Sequence, residues 1–466
     1  AIGELTDDSV GLVCPPSTAS APGRDDFAHL PQFWCVEVAA EKKEDGSHEI
    51  FYVEHIDDLD DVRSGEHLCW VLQKNTFVRE WRADGYQHLQ MKCHQTTGFK
   101  QWREGKDRTG HVYAYIAHPK YYAGKVGGKA TCGTGLAPIN YTSHTSGVTL
   151  WRTRGTQYSG GSWSLMKFLD RMMRLKYARK GNSGTIEGCT SYNYQYKAAV
   201  AETGVKRFIL TVAQAANLFV GSAVSIGTDT DGSTDRNVAD VHDIATEVRI
   251  TAIEPVTIAD SQYSAVYVNV TDTFDTVKDQ TLLSTMPYFS GWNDDVLGTD
   301  GSKYNAANGK EPGLLQKVEF MNGSYLIISD ELWQWGKDAN EDFTFDCYVC
   351  KDQSKVSGTA ITEDYVKQEG LTLTLPKDLM TSWHWQYIED TDCGDIEWPT
   401  GVHASGSGVG CKAGFFCVPS PSGLRAGWCF GHLFDGGIGG VACRRSGDSV
   451  GAAGWHGSLG APDIAG

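Results

Sequence analysis

Between Leu424 and Pro462 the chain reads LRAGWCFGHLFDGGIGGVACRRSGDSVGAAGWHGSLGAP. Glycine is dense there, and between the glycines stand Trp428, Phe430, His432, Phe434, Asp435, Arg444, Arg445, Asp448, Trp455 and His456. Neither a helical nor a strand period organises these side chains. Glycine supplies backbone bends at little steric cost, whereas aromatic residues and arginine are the types that anchor binding surfaces. Alternating the two describes a turned backbone that displays contact residues. The competing reading is a glycine-rich loop packed on its own aromatics.

Working outward, 466 residues leave room for two or three domains and a sizeable core. With 53 glycines and 11% aromatics, a loop-rich, mostly β or α+β protein is expected. The 41 basic residues against 58 acidic ones give a net charge of −17, which argues against a general nucleic-acid binder and against anionic membrane surfaces. The opening AIGELTDDSVGL has no basic region and no apolar core, so no secretion signal is expected. The longest uncharged run, 208–228, carries Thr, Gln, Asn, Ser and Gly, which suits paired buried strands better than membrane insertion.

The 13 cysteines follow no regular framework and are expected to be buried thiols in a chain that folds in a reducing compartment. Cys347 and Cys350 form a CxxC, but inside an alternating strand pattern. Cys411 and Cys417 have the wrong spacing for a second ligand pair, so no zinc site and no metal or other cofactor is assigned. The acids around Asp229, Asp231 and Asp235 lack the order of an EF-hand loop and suit a hairpin tip. The chain holds no phosphate loop and no HExxH motif, and no catalytic residue is proposed.

Elements are legible in several places. Short strands are expected at 50–53 and 69–72, with a solvated acidic turn at 57–61 between them. Another strand spans 111–117. Leu165, Phe168, Leu169, Met172 and Leu175 recur at helical spacing; Ser162 caps the start and Gly181 the end, giving a helix over 162–180 whose Met stripe is core. Strands at 205–212, 248–253 and 263–270 form a block with its own turns, read as a small inserted β domain. Asn322-Gly323 between 314–321 and 324–329 predicts a type I′ hairpin. Further strands fall at 343–349 and at 383–388, where His384 reads as a packed or solvent-facing strand residue.

Three pieces then combine. Pro138-Ile139-Asn140-Tyr141-Thr142-Ser143-His144 precedes the helix and Gly188-Cys189-Thr190-Ser191-Tyr192 follows it. Asp294-Asp295-Val296-Leu297-Gly298-Thr299-Asp300-Gly301-Ser302 stands before Val318-Glu319-Phe320-Met321, and the chain closes on the glycine-rich segment with Trp455 and Gly460-Ala461. In this order they resemble phage structural proteins whose receptor-binding part has the C-type lectin fold, in the variant shared with formylglycine-generating enzymes.

The resemblance implies an α+β, C-type-lectin-like domain in two parts, 95–202 and 288–466. The β domain at 203–287 is inserted between them, and residues 1–94 form a β-rich N-terminal region available for virion docking. It implies a virion adhesin or tail-fibre protein, assembled in the host cytoplasm as a homotrimer beside other virion proteins. Such a protein recognises a host-surface protein or glycan through a face targeted by a diversity-generating retroelement. Trp428 belongs to that binding segment. Cys429, Phe430, His432, Phe434, Asp435, Ile438, Arg444, Arg445, Asp448 and His456 would be its variable positions. Gly436, Gly437, Gly440, Ala442, Ser449, Gly460 and Trp455 would be scaffold.

Two alternatives stand beside it. An oxidase like the formylglycine-generating enzymes needs a closely spaced copper-binding cysteine pair, and Cys429 and Cys443 lie too far apart in the sequence for that pattern. A calcium-dependent sugar lectin needs a carboxylate–amide cluster such as Glu-Pro-Asn, and Glu311-Pro312 is followed by Gly313.

Overall fold

The apolar residues at helical spacing do form a helix, α3 (Trp163–Tyr177), in the computed structural model of the chain. The structure describes residues 2–4, 27–177, 186–230, 239–294, 311–369, 372–377, 384–393, 397–403, 414–417, 422–431, 443–451 and 457–462, with breaks at 28, 85, 103–104, 106–110, 187 and 321–322. The amide of Ser164 donates to Ser162 Oγ at 3.1 Å, close to the expected start. The helix is not one-sided, however. Lys167, Asp170 and Arg174 are buried along with Leu165, Phe168, Leu169 and Met172.

Buried charge needs partners, and a strand supplies one. Glu80 on Phe77–Ala83 receives Lys167 at 3.6 Å, Arg171 at 2.8 Å and Arg174 at 2.9 Å. Burial alone would raise the Glu80 pKa; the cations outweigh it and hold the carboxylate well below its usual range.

Three further helices are short: α1 (Leu59–Arg63), α2 (His144–Arg152) and α4 (Val212–Ala215). Among the described residues none is long and apolar enough to cross a membrane. Strands make up 43% of the structure and helix 15%. The α+β, C-type-lectin-like class expected from the sequence is therefore corrected to a β-rich fold. One long helix could not outweigh the many short glycine-flanked segments that pair as strands. The solvated turn expected at 57–61 is likewise replaced in part by α1, which begins inside the acidic run.

Two four-stranded sheets build the N-terminal region. One runs in the order Ile2–Glu4, Tyr86–Lys92, Phe77–Ala83, Lys100–Gln101; the other His48–Val53, Cys35–Lys42, Leu68–Lys74, Tyr115–Pro119. The boundary expected at 94/95 falls inside both sheets. Val71, Val78, Leu89 and Ile116 from these sheets, with Trp102 just past Lys100–Gln101, share one core with α3 and with Ile328, Trp333, Trp335 and Phe345 of the largest sheet. That sheet has 10 strands, among them Phe343–Cys350, Tyr325–Lys337, Gly423–Cys429, Arg444–Ser449 and Gly414–Cys417 in this lateral order.

A six-stranded antiparallel sheet between Gln195 and Ser284 stands apart with its own core of Phe208, Leu210, Val224, Ile226, Val266 and Leu283. Just past its first edge strand, Gln195–Lys197, the Ala199 amide donates to the Ile209 carbonyl of the other edge strand, Arg207–Thr211, at 2.9 Å. The chain enters and leaves it side by side, Thr285 N bonding Tyr194 O at 2.9 Å.

The unbroken strand expected over 314–321 is corrected as well. The observed pair is Gly313–Leu315 with Val318–Phe320, and the residues turning with positive φ are Gln316 (52°) and Lys317 (61°). Asn322 lies outside the described residues. Tertiary contacts hold the left-handed backbone that glycine would adopt freely. Gln316 Nε2 donates to Phe33 O at 3.0 Å, its carbonyl accepts from Gln73 Nε2 at 2.9 Å, and Lys317 Nζ pairs with Glu54.

Beside this hairpin lies a buried ionic network. Arg63 grips Glu37 at 2.7 and 2.9 Å, and Lys120 bridges Glu37 at 3.2 Å and Asp294 at 3.4 Å. Tyr121 Oη and Thr134 Oγ1 donate to Asp294 at 2.6 and 2.7 Å. Glu319 accepts the amides of Gly291 and Asn293, each at 2.9 Å.

Burial would raise Glu37, but Lys120 and Arg63 bring it down to about 2; burial and the neighbouring Asp294 push Glu319 up to about 7. The two act oppositely on stability. The contribution of Glu37 is complete above its ordinary pKa of 4.5 and is lost as pH falls toward 2. Glu319 keeps its proton in the folded state while the unfolded chain releases it, so stability falls as pH rises from 4.5 through 7 and then levels. Below pH 6.5 His144, whose pKa burial lowers, works in the opposite direction and gains stability as pH rises. In thermal melts Glu319→Gln should therefore raise the melting temperature at about pH 8 relative to that at about pH 5, compared with the parent chain, and leave the loss of stability toward pH 2 in place. An unchanged difference between the two pH values would mean that Glu319 does not titrate there.

Candidate functional site

Gly423–Cys429 runs antiparallel to Tyr325–Lys337, with Cys429 opposite Leu326 and Gly423 opposite Trp335. On its other side lies Arg444–Ser449, where Arg444 faces Cys429 and Ser449 faces Arg425. Gly457–Leu459 returns parallel to the start of Tyr325–Lys337, Gly457 opposite Tyr325. Cys429, Arg444 and Gly457 thus sit at one end of the sheet, level with Tyr325 and Leu326. The sheet thus fixes the described residues on either side of 432–442 and 452–456.

Buried contacts fix those points. Phe430 is fully buried, its ring stacked 5.3 Å from Phe320 and 6.2 Å from Tyr122. Its φ of +65° is a left-handed conformation that costs a non-glycine residue roughly 1–2 kcal/mol; burying an aromatic ring, worth roughly 1.5–3 kcal/mol, offsets it. Trp428 is buried against Tyr325 at 5.9 Å, and Cys429 and Cys443 are fully buried.

Farther on, the amide and Oγ1 of Thr145 both donate to Val450 O, at 2.9 and 2.8 Å. Trp151 Nε1 donates to Gly460 O and Trp70 Nε1 to Pro462 O, each at 2.9 Å. The donors sit on α2 or next to it in space, and α2 is itself capped by Ser143, whose Oγ accepts from Ser146 N at 3.0 Å. His144 is neutralised by burial, which lowers its pKa, and Nε2 bonds Ser329 O at 2.8 Å. It is a strut between α2 and the large sheet.

Gly460 has a steric reason. A Cβ there would stand 2.6 Å from Gly161 Cα and 3.2 Å from Ile327 O, all backbone atoms that cannot swing aside. Gly460→Ala is expected to cost roughly 1–3 kcal/mol, as overpacking does, read as a lower denaturant midpoint at constant slope. Gly451→Ala, where nothing lies within 4 Å of the added atom, is the matched control and should change little.

The sequence-derived site residues therefore separate into groups. Trp428, Cys429 and Phe430, expected to display their side chains, are core residues, a correction whose cause is the antiparallel pairing that carries them under Tyr325 and Phe320. Arg444, Arg445 and Asp448 lie on one strand whose backbone is paired on both sides. His432, Phe434, Asp435, Ile438 and His456 lie outside the described residues, as do Trp455, Gly436, Gly437, Gly440 and Ala442. Of the expected scaffold, Ser449 is exposed and Gly460 buried. Sequence reading missed Trp70, Thr145, Trp151 and Gly161 as holders of the segment. The pair Gly160-Gly161 facing a late Gly-Ala was the available signal, since adjacent small residues mark close backbone approach.

Four of the buried thiols, Cys69, Cys132, Cys189 and Cys350, are not poised for chemistry. Burial pushes Cys132 up to about 12 and Cys350 up to about 11, and raises Cys69 and Cys189 as well. Thiols so raised remain protonated and weakly nucleophilic at neutral pH. Among the described residues no group of His, Cys, Asp and Glu could hold a metal ion. The chain matches no protein-family model and no curated protein sequence.

Proposed function

We propose that the protein is a phage virion receptor-binding protein, without catalytic activity, that recognises a host-surface protein or glycan through the stretch between Gly431 and Gly457. The observation that carries this reading is the pinning of that stretch. Phe430, Cys443, Val450 and Gly460 are each held by buried packing or by hydrogen bonds from elsewhere in the fold. A backbone fixed from outside can accept substitutions between its fixed points without unfolding.

The contact set is His432, Phe434, Asp435, Ile438, Arg444, Arg445, Asp448 and His456. A virion location, other virion proteins as neighbours and a homotrimeric state follow from the same reading, since repeated weak contacts gain avidity on a dense cell surface. Sequencing the coding locus from related isolates tests it. Substitutions should crowd into the contact set and spare Trp428, Cys429, Phe430, Cys443, Gly460 and Ala461. Variation spread evenly over both groups, or concentrated in the second, would overturn the proposal.

A further inference from the structure

The sheet His48–Val53, Cys35–Lys42, Leu68–Lys74, Tyr115–Pro119 has two unlike edges. Ile116 and Ala117 on one edge strand are buried. On the other, His48–Val53 pairs among the described residues only with Cys35–Lys42. Its residues Ile50, Phe51, Tyr52 and Val53 are 37, 44, 39 and 50% exposed, and Ile56 just beyond is 82% exposed. Successive residues of a strand point to opposite faces, so a run of exposed neighbours means that both faces are open as well as the outer edge.

Such a strand is ordinarily polar and guarded by Lys or Pro, because unpaired backbone groups recruit other strands. Here four apolar residues follow one another, and 48–53 contains neither guard. A register shift opposite Ala39 and Ala40 leaves Phe51 between the paired residues Ile50 and Tyr52, with its ring flat on the His67 imidazole at 3.8 Å. The bulge turns the strand without covering it.

Charge at the two ends decides what can sit there. At its start Lys43 is paired with Glu49 of the strand at 3.3 Å, which leaves exposed Glu44 and Asp45 in excess; exposed Asp57, Asp60 and Asp61 follow the strand. A second copy of the same strand would bring acid against acid at both ends, whether it ran parallel or antiparallel, and like charges set opposite one another destabilise a pair. We propose that this edge receives, by strand addition, an extended segment of another protein that is apolar in its middle and carries Lys or Arg at both ends. Main-chain hydrogen bonds along 48–53 give affinity, the open faces of Ile50, Phe51, Tyr52 and Val53 take the apolar side chains, and the flanking acids set the register. This docking edge is independent of the receptor reading above.

The test titrates the full chain against two fluorescent synthetic peptides, Lys-Lys-Val-Thr-Val-Thr-Val-Lys-Lys and its counterpart with Glu for every Lys, while light scattering records the mass of the chain. The lysine peptide should bind at least ~10-fold tighter than the glutamate one, which is about 1.4 kcal/mol of discrimination, and should weaken as salt is added. Tyr52→Lys with Val53→Lys, one on each open face, should abolish binding without moving the melting temperature. Asp60→Lys with Asp61→Lys should narrow or reverse the preference between the peptides while keeping the edge intact. Equal binding of both peptides, binding of neither, or a concentration-dependent dimer broken by Val53→Lys would each overturn the proposal; the dimer would name a second copy as the occupant.

Discussion

Replacing Phe430 by Ala is expected to destabilise the protein by ~3–5 kcal/mol, the range for emptying a buried aromatic site. The ring is fully buried between Phe320 and Tyr122, and no part of it reaches solvent. Phe430→Gly separates packing from strain. It removes the same ring but relaxes a backbone held at φ +65°, so it should cost less than Ala by about 1 kcal/mol, the scale of the left-handed penalty. Denaturant unfolding of the two variants side by side measures both terms. An Ala variant with an unchanged midpoint would mean that Phe430 is a surface residue after all.

A loss of similar size is expected from Lys120→Met. Lys120 is 3% exposed, and its ammonium meets Glu37, Asp294 and the carbonyl of Lys317. Taking away one partner of a buried network strands the rest, which costs ~3–5 kcal/mol, far more than the pair contributes against apolar replacements. Lys43→Met is the counterpart on the surface. Lys43 meets Glu49 at 3.3 Å with both side chains about half exposed, so its loss should cost under ~1 kcal/mol. Equal effects of the two substitutions would show that the network around Lys120 is not energetically buried.

The parts of this fold that follow local rules were legible in the sequence. The stretch 163–177 carries its apolar residues at helical spacing and forms α3, and 261–268 and 343–350 alternate as strands should. What local pattern cannot show is where a turn is forced by distant contacts. The strand expected over 314–321 instead folds back at Gln316-Lys317, where Phe33, Gln73 and Glu54 hold those two residues. The buried charges on α3 were not legible for the same reason, since Glu80, which pairs with Lys167, Arg171 and Arg174, lies far off in sequence.

The candidate site was half legible. Glycine density marked the segment, and the Gly460 close approach explains one of those glycines. Composition alone could not tell a displayed aromatic from a buried one. Trp428 and Phe430 sit two apart among glycines just as a contact residue would, and only the pairing of Gly423–Cys429 with Tyr325–Lys337 turns them inward.

The central claim is that one segment holds buried anchors and a replaceable face. It is tested most directly by measuring host-cell binding and thermal unfolding together on a variant carrying Ala at His432, Phe434, Arg444 and His456, beside Phe430→Ala. The quadruple variant should lose binding while each truncation costs under ~0.5 kcal/mol of folding, and Phe430→Ala should melt early. A quadruple variant that unfolds, while Phe430→Ala keeps its melting temperature and loses only binding, would contradict the account.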